Sequence, residues 1–452
     1  MRSEKQRPPL PEGPYLVIGL ARSGQAAARL LAERGEEVIG ADSGTPDGAE
    51  RLSEVGVEVH LDGDGVALVE RARTVVKSPG VPRGAPAVAA ALEQGRTVIG
   101  ELELAWRLLP NRFVAVTGTN GKSTVVELLG HLWRTAGMPV AMAGNVGTPL
   151  ASLVGEIAPD ADIVCEASSF QLEDSESFAP ECAVILNVTP DHLDRHGDFD
   201  SYLAAKLRVF ANQGNDDVAV YNGSDPSLAG IDLGGCARRV AFCRDAGDDC
   251  AVTVAGPVIQ ADGEPLLDVS QLQLIGPHNT ENAMAAAATA LALGVPRGDV
   301  AAGLRSFAGI PHRLELVLEL DDTRYVNDSK ATNVAAARAA IISFDGGVRA
   351  ILGGSAKGES FEGLSDTVAD RCVACYLHGE TADALERDLE AAWAAGIEHH
   401  RCAGLAEAVE RAAADAQPGE VVLLAPAAAS FDRYRDFEER GEHFRSLVED
   451  LA

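Results

Sequence analysis

Positive charge is what this chain has least of. Lys and Arg number 38 against 68 Asp and Glu, for a formal net charge of −30. That balance argues against a nucleic-acid or anionic-membrane partner, because such a footprint is basic. An anionic ligand would need a locally basic pocket plus metal. Long apolar runs are missing too. None reaches the 18 residues of a membrane span, and the Ala-rich helical stretch Ala283–Leu293 is too short. The start, residues 1–14, is polar and Pro-containing and has no apolar secretion segment. The eight cysteines show no disulfide framework. Cys372-Val-Ala-Cys375 is a lone CxxC inside an apolar run and reads as buried thiols rather than a zinc or redox pair. A reducing cytoplasm is therefore expected. At 452 residues with 46% apolar content, the chain should be globular and divided into two to four domains.

One stretch carries most of the chemistry. Val116-Thr-Gly-Thr-Asn-Gly-Lys-Ser-Thr124 follows the apolar run Phe113–Val116 and opens a helical pattern through Trp133. Backbone N–H groups of a glycine-rich turn, with a helix dipole behind them, hold phosphate oxygens. Lys122 supplies a charge for the β and γ phosphates, and Ser123 or Thr124 a hydroxyl for Mg²⁺. Gly118 sits only three residues before Gly121, so the usual six-residue loop is shortened.

The pattern around that loop is strand and helix in alternation, which argues for doubly wound, mostly parallel sheets. Residues 1–100 read as a first Rossmann-like unit: strand Tyr15–Leu20, helix Ser23–Arg34, and a second strand ending in Asp42. Gly19 and Gly24 with Ala21 between them make a weak dinucleotide fingerprint, equally suited to any anion at the helix start. Residues 101–309 form a mononucleotide-binding unit with strands 139–143, 162–167, 182–188 and 218–221. Residues 310–452 form a third α/β unit, with helices expected over 334–342, 382–394, 405–416 and 433–451.

In α/β sheets, ligands gather at the carboxyl ends of strands. Glu166 and the run Ser168–Glu173 end one central strand, and Asn187–Arg195 ends another, so both belong on the rim of the phosphate loop. Glu166 is a natural Mg²⁺ carboxylate beside Ser123. His192 stands between Asp191 and Asp194, and metal ligand, general base and solvated histidine compete as its reading. Lys206 on an amphipathic helix is, alone, a snorkelling surface lysine. Arg313, Asp328, Lys330 and Lys357 are equally bland singly. Their clusters are not: Asn327-Asp-Ser-Lys-Ala-Thr-Asn333 follows a strand and precedes a helix, and Gly353–Gly358 has the composition of an anion-binding turn.

Taken together these motifs resemble the bacterial Mur ligases. The resemblance covers nearly the whole chain in order: GTNGKST, the Gly144–Gly147 turn, SSFQLE, NVTPDHLDRH, AAKLR, HNxxNA, PHR, NDSKATN, LGGSAKG and Ser430-Phe-Asp-Arg-Tyr434. Loop and HNxxNA are shared with folylpolyglutamate synthases; SSFQLE, NDSKATN and Ala429-Ser-Phe431 look like the D-glutamate-adding branch. The resemblance implies an ATP-dependent ligase of peptidoglycan precursor synthesis, acting in the cytoplasm as a monomer. It implies UDP-N-acetylmuramoyl-L-alanine, D-glutamate and ATP as substrates, and two Mg²⁺ ions. ATP would be held by Gly118, Thr119, Asn120, Gly121, Lys122, Ser123, Thr124, Asn282, Arg313 and Asp328. The metals would be held by Ser123, Glu166, His192 and a CO₂-derived carbamate on Lys206, with Lys122, His192 and Lys206 as the catalytic groups. The UDP substrate would meet Arg22, Ser23, Asp42, Ser43, Gly80 and Asn145. D-Glutamate would meet Thr332, Lys357, Ser430 and Phe431. The chain departs from the family's usual pattern at Ala21, Gly44, Ala167, Ala425 and the Gly-Ser-Ala-Lys stretch.

Overall fold

A computed structural model describes residues 5–145, 147–244, 250–274, 276–356 and 360–452. Val146, Lys357, Gly358 and the side chain of Asp194 lie outside the described residues. The chain divides into two compact units, Met1–Val269 with Glu281–Leu304, and Ser270–Thr280 with Arg305–Ala452.

The first unit contains two sheets. Strands β1 (Tyr15–Ile18), β2 (Val38–Ala41), β3 (Glu58–His60), β4 (Thr74–Lys77) and β5 (Thr97–Gly100) are all parallel, in the order β3-β2-β1-β4-β5. The inner strands β1, β2 and β4 are buried along their whole length, as expected of parallel strands covered on both faces. The strand order reverses between β1 and β4, so the turns after them share one crevice. They touch closely: a Cβ on Gly19 would come within 2.9 Å of Ser78 Cβ and 2.6 Å of Val81 Cγ2.

The second sheet has nine strands: β6 (Phe113–Thr117), β7 (Val140–Gly144), β8 (Asp162–Glu166), β9 (Cys182–Ile185), β10 (Val218–Asn222), β11 (Arg238–Cys243), β12 (Cys250–Ala255), β13 (Val258–Ala261) and β14 (Glu264–Asp268). Their order is β14-β13-β12-β11-β10-β9-β6-β8-β7. From β7 to β12 the pairing is parallel; β12, β13 and β14 pair antiparallel. The sequence pattern alone missed this antiparallel extension, whose strands are short and joined by tight Gly turns. The expected absence of disulfides needs a correction as well. Cys243 ends β11 and Cys250 opens the adjacent β12, with Cα atoms 5.9 Å apart, and the two are bonded. Strand pairing brings them together, which spacing along the chain could not show.

Two sheets share one unit because carboxylates of the helix Glu101–Leu108 grip the backbone beyond it. Glu103 accepts from the N–H groups of Glu176, Ser177 and Phe178. Glu101 accepts from Ala151 N–H at 2.6 Å. Arg7 lies over Trp106 and Phe113 and donates to the carbonyls of Trp106 and Asn111.

The second unit carries β15 (Glu315–Leu320), β16 (Thr323–Asn327), β17 (Val348–Gly353), β18 (Cys372–His378), β19 (Glu398–Arg401) and β20 (Val421–Leu424), ordered β15-β16-β20-β17-β18-β19. Only β15 is antiparallel. Cys372 and Cys375 are buried in β18 as unbonded thiols. Among the described residues, no helix is long and apolar enough to cross a membrane.

Candidate functional site

The phosphate loop sits between β6 and the helix Lys122–Thr135, at the carboxyl rim of the nine-stranded sheet. Gly118 and Gly121 have φ of +148° and +86°, conformations that cost other residues energy. Gly121 is also crowded: a Cβ there would lie 2.3 Å from Asn282 Oδ1. Asn282 is therefore seated on the loop itself. The neighbouring strand end laces the loop in place. Thr119 N–H donates to Asn187 O at 2.9 Å, and Asn120 N–H to Asn187 Oδ1 at 2.9 Å. Thr119 Oγ1 lies 3.1 Å from both Thr189 O and Tyr202 Oη.

Lys122 folds back over the turn, donating to Gly118 O at 3.0 Å and Thr119 O at 2.8 Å. Ser123 Oγ donates to Glu166 Oε2 at 2.7 Å, and Asn145 Nδ2 to Glu166 Oε1 at 3.1 Å. The paired reading of Ser123 with Glu166 is thus a direct contact. Lys206 is not a surface lysine. It is 2% exposed, donates to Gly118 O at 2.7 Å, and lies 4.5 Å over the Tyr202 ring. Burial, with Lys122 adding to it, lowers its pKa to about 7. His192 adopts a left-handed backbone, φ +52°, and its exposed ring meets Phe170 at 5.0 Å. Among the described residues, no group of three or more His, Cys, Asp and Glu is arranged to hold a metal by itself. Glu166, Ser123 and His192 would need phosphate oxygens and water to complete a shell, which is how Mg²⁺ is usually bound.

The crevice of the five-stranded sheet gathers the residues expected to meet the UDP substrate. The helix Arg22–Glu33 starts at Ala21 with no side-chain cap. Gly24 lets that helix close on the turn, since a Cβ there would sit 1.7 Å from Gly19 O. Asp42 ties the turn after β1 to the turn after β2, accepting from Leu20 N–H at 2.6 Å and Gly44 N–H at 2.9 Å. Arg22 reaches Gly147 O across to the central sheet. Ser43 and Gly80 are exposed and Ser23 is half-buried beside them.

In the second unit, Asp328, Thr332 and Ser430 follow the ends of β16 and β20, neighbours in the sheet. Burial raises the Asp328 carboxyl to about 7, against the opposing pull of Arg313. Ser430 is buried and Phe431 is 72% exposed. Lys357 lies outside the described residues. Arg440, unremarkable in sequence, is fully buried. It donates to Ser329 Oγ and O and to the carbonyls of Ala428 and Ala429, fixing the loops that carry Thr332 and Ser430.

Three family models match the chain: "Mur ligase MurD-like, N-terminal domain" at 14–100, "Mur ligase middle domain" at 116–290, and "Mur ligase, glutamate ligase domain" at 312–428. The UDP-N-acetylmuramoylalanine–D-glutamate ligase of Pelotomaculum thermopropionicum is 43% identical, over 96% of each chain. The enzyme of that name from Salinibacter ruber is 42% identical, over 96% of this chain and 97% of its own. Among solved structures, UDP-N-acetylmuramate-alanine ligase MurC from Thermotoga maritima superposes with a TM-score of 0.59 at 17% identity, covering 98% of this chain and 100% of that one. This last likeness speaks for the fold.

Proposed function

The chain belongs to the Mur ligase family, and we propose that it couples ATP hydrolysis to the joining of D-glutamate to UDP-N-acetylmuramoyl-L-alanine in peptidoglycan precursor synthesis. One observation carries the reading. Ser123, Glu166, Asn145 and Lys206 converge on the Gly118–Gly121 loop, in a chain 43% identical to a ligase of that specificity over nearly its whole length.

The reaction begins when an oxygen of the acceptor's alanine carboxylate attacks the γ-phosphorus of ATP, giving an acyl phosphate and ADP. The amine of D-glutamate then adds to the acyl carbon. It loses a proton to solvent, and inorganic phosphate leaves as the amide forms. The loop N–H groups, with Asn282 on Gly121, take the phosphates, and Lys122 turns from Gly118 O and Thr119 O towards them. Ser123, Glu166, His192 and Lys206 are the side chains that would hold Mg²⁺, whose bound charge offsets that of the phosphates. Lys206 suits carbamylation. A buried amine with a pKa near 7 is largely neutral at physiological pH, so its nitrogen can add to CO₂ and release a proton, leaving an oxygen-bearing anion.

Residues 1–100 hold the UDP substrate through Arg22, Ser23, Asp42, Ser43 and Gly80, with Asn145 near the reacting carboxylate. Residues 101–309 hold ATP. Residues 310–452 supply Arg313 and Asp328 to the nucleotide and Thr332, Lys357, Ser430 and Phe431 to D-glutamate. A cytoplasmic monomer completes the proposal. The test is phosphate release from ATP with UDP-N-acetylmuramoyl-L-alanine against D-Glu, L-Glu, L-Lys and meso-diaminopimelate. Release with D-Glu alone is expected; release that ignores D-Glu would end the reading.

A further inference from the structure

Arg195 lies in the short helix Leu193–His196, three residues after His192. Its Nη2 donates to Pro79 O at 2.9 Å and to Val81 O at 3.0 Å. Those carbonyls bracket Gly80, in the turn that follows β4. Its guanidinium also lies 3.9 Å over the Phe170 ring, and that ring meets His192 at 5.0 Å and stacks on His196 at 5.3 Å. Glu173 Oε1, 3.7 Å away, balances the charge and faces Lys77 at 3.8 Å. Lys77 donates to Val81 O at 2.7 Å. The Val81 carbonyl is therefore held by two cations, Lys77 at the end of β4 and Arg195 in the helix Leu193–His196.

We propose that Arg195 is a positioning residue for the acceptor substrate: it shapes the Ser78–Val81 turn and links it, through Phe170, to the loop bearing His192. The proposal rests on the ligase reading above. A planar cation suits the place, because one group must lie flat on a ring while a single nitrogen, Nη2, at its rim reaches two carbonyls. The rest of the turn offers little to define it. A Cβ on Gly80 would meet nothing within 4 Å. Nor is Arg195 needed to hold the two sheets together. Lys77 pairs with buried Asp174 at 2.6 Å, Glu103 gathers three N–H groups, and Arg7 adds two carbonyl contacts. Removing Arg195 loosens one turn, not the unit.

The test compares wild type, Arg195→Ala and Arg195→Lys. Calorimetric titration with UDP-N-acetylmuramoyl-L-alanine, without ATP or metal, gives the acceptor Kd; ATP Kd and the KM of each substrate follow. Losing two charge-assisted hydrogen bonds should weaken acceptor binding about tenfold in Arg195→Ala. KM for the acceptor should rise in step, while ATP Kd and KM for D-glutamate stay within about twofold. Arg195→Lys keeps the charge but loses the flat face on Phe170, and is expected to lie between the two. Unchanged acceptor affinity in a folded variant overturns the proposal. So does an equal loss for all three substrates with a large drop in unfolding temperature, which would mark a mere staple. Should Arg195→Ala fail to fold, Arg195→Lys decides by the same split. A wild-type protein that binds ATP but not the UDP acceptor would instead overturn the ligase reading itself.

Discussion

Replacing Lys206 by Met should stabilise the protein while abolishing its activity. In the fold, the amine's pKa is lowered from 10.5 to about 7, chiefly by burial. A lysine with a lowered folded value destabilises wherever the unfolded chain would be charged. The penalty is complete below about pH 7 and vanishes as pH rises towards 10.5. The gap corresponds to ~5 kcal/mol at pH 6 and ~2 kcal/mol at pH 9. Met fills much the same volume without the charge. It forfeits the hydrogen bond to Gly118 O, but that carbonyl keeps Lys122 Nζ at 3.0 Å, so the loss is only ~1 kcal/mol. The net gain is ~4 kcal/mol at pH 6 and ~1 kcal/mol at pH 9. Urea denaturation of both proteins at the two pH values measures it, in metal-free buffer purged of CO₂ so that no carbamate forms. Parallel assays should show turnover reduced at least ~100-fold, with partial rescue of Lys206→Ala by short carboxylic acids. A gain that does not change with pH, or a loss at pH 6, would refute the reasoning.

Three further outcomes are expected. Gly121→Ala forces a left-handed alanine whose Cβ strikes Asn282, costing ~2 kcal/mol or more, so ATP KM should rise at least tenfold with KM for D-glutamate unchanged in steady-state assays. Glu166→Gln keeps a partner for Ser123 or Asn145 but removes the charge, and a Mg²⁺ titration of activity should show half-saturation moved to at least ~10-fold higher concentration. Asp328 is held up to about 7, so its penalty grows as pH rises from 3.8 and is complete above 7. Asp328→Asn should therefore raise stability by ~2–4 kcal/mol at pH 8 and by little at pH 4, measured by denaturation at both.

The phosphate loop was legible because its chemistry is local: glycines, a lysine and a hydroxyl in one turn between a strand and a helix. Glu166 was legible as a strand-end acid for the same reason. Lys206 was not, except through family resemblance, since what distinguishes it is burial by other segments. Glu173 and Arg195 were legible only as the ends of rim segments, and Arg440 not at all, because each acts on carbonyls or charges remote in sequence. Helix ends failed where capping overrode periodicity. The last helix starts at Phe437, behind the Asp436 side chain that caps Glu439 N–H, rather than at Arg433. The stretch expected as one helix over 382–394 is two, Ala382–Asp388 and Glu390–Ala394, broken at Leu389.

The antiparallel strands added to the central sheet bear on how the protein behaves when crowded. They carry the sheet past Cys250 and leave β14 as its outer strand. Pro265, paired with Gln260, has no N–H to offer a further strand, and Glu264 and Asp268 put an acid at each end. Such a border is a poor template for the edge-to-edge growth that leads to aggregates. With a net charge of −30, any second copy approaching it is also repelled. The segment therefore guards one edge of the largest sheet of the molecule against self-association, a role in colloidal stability separate from the chemistry at the phosphate loop.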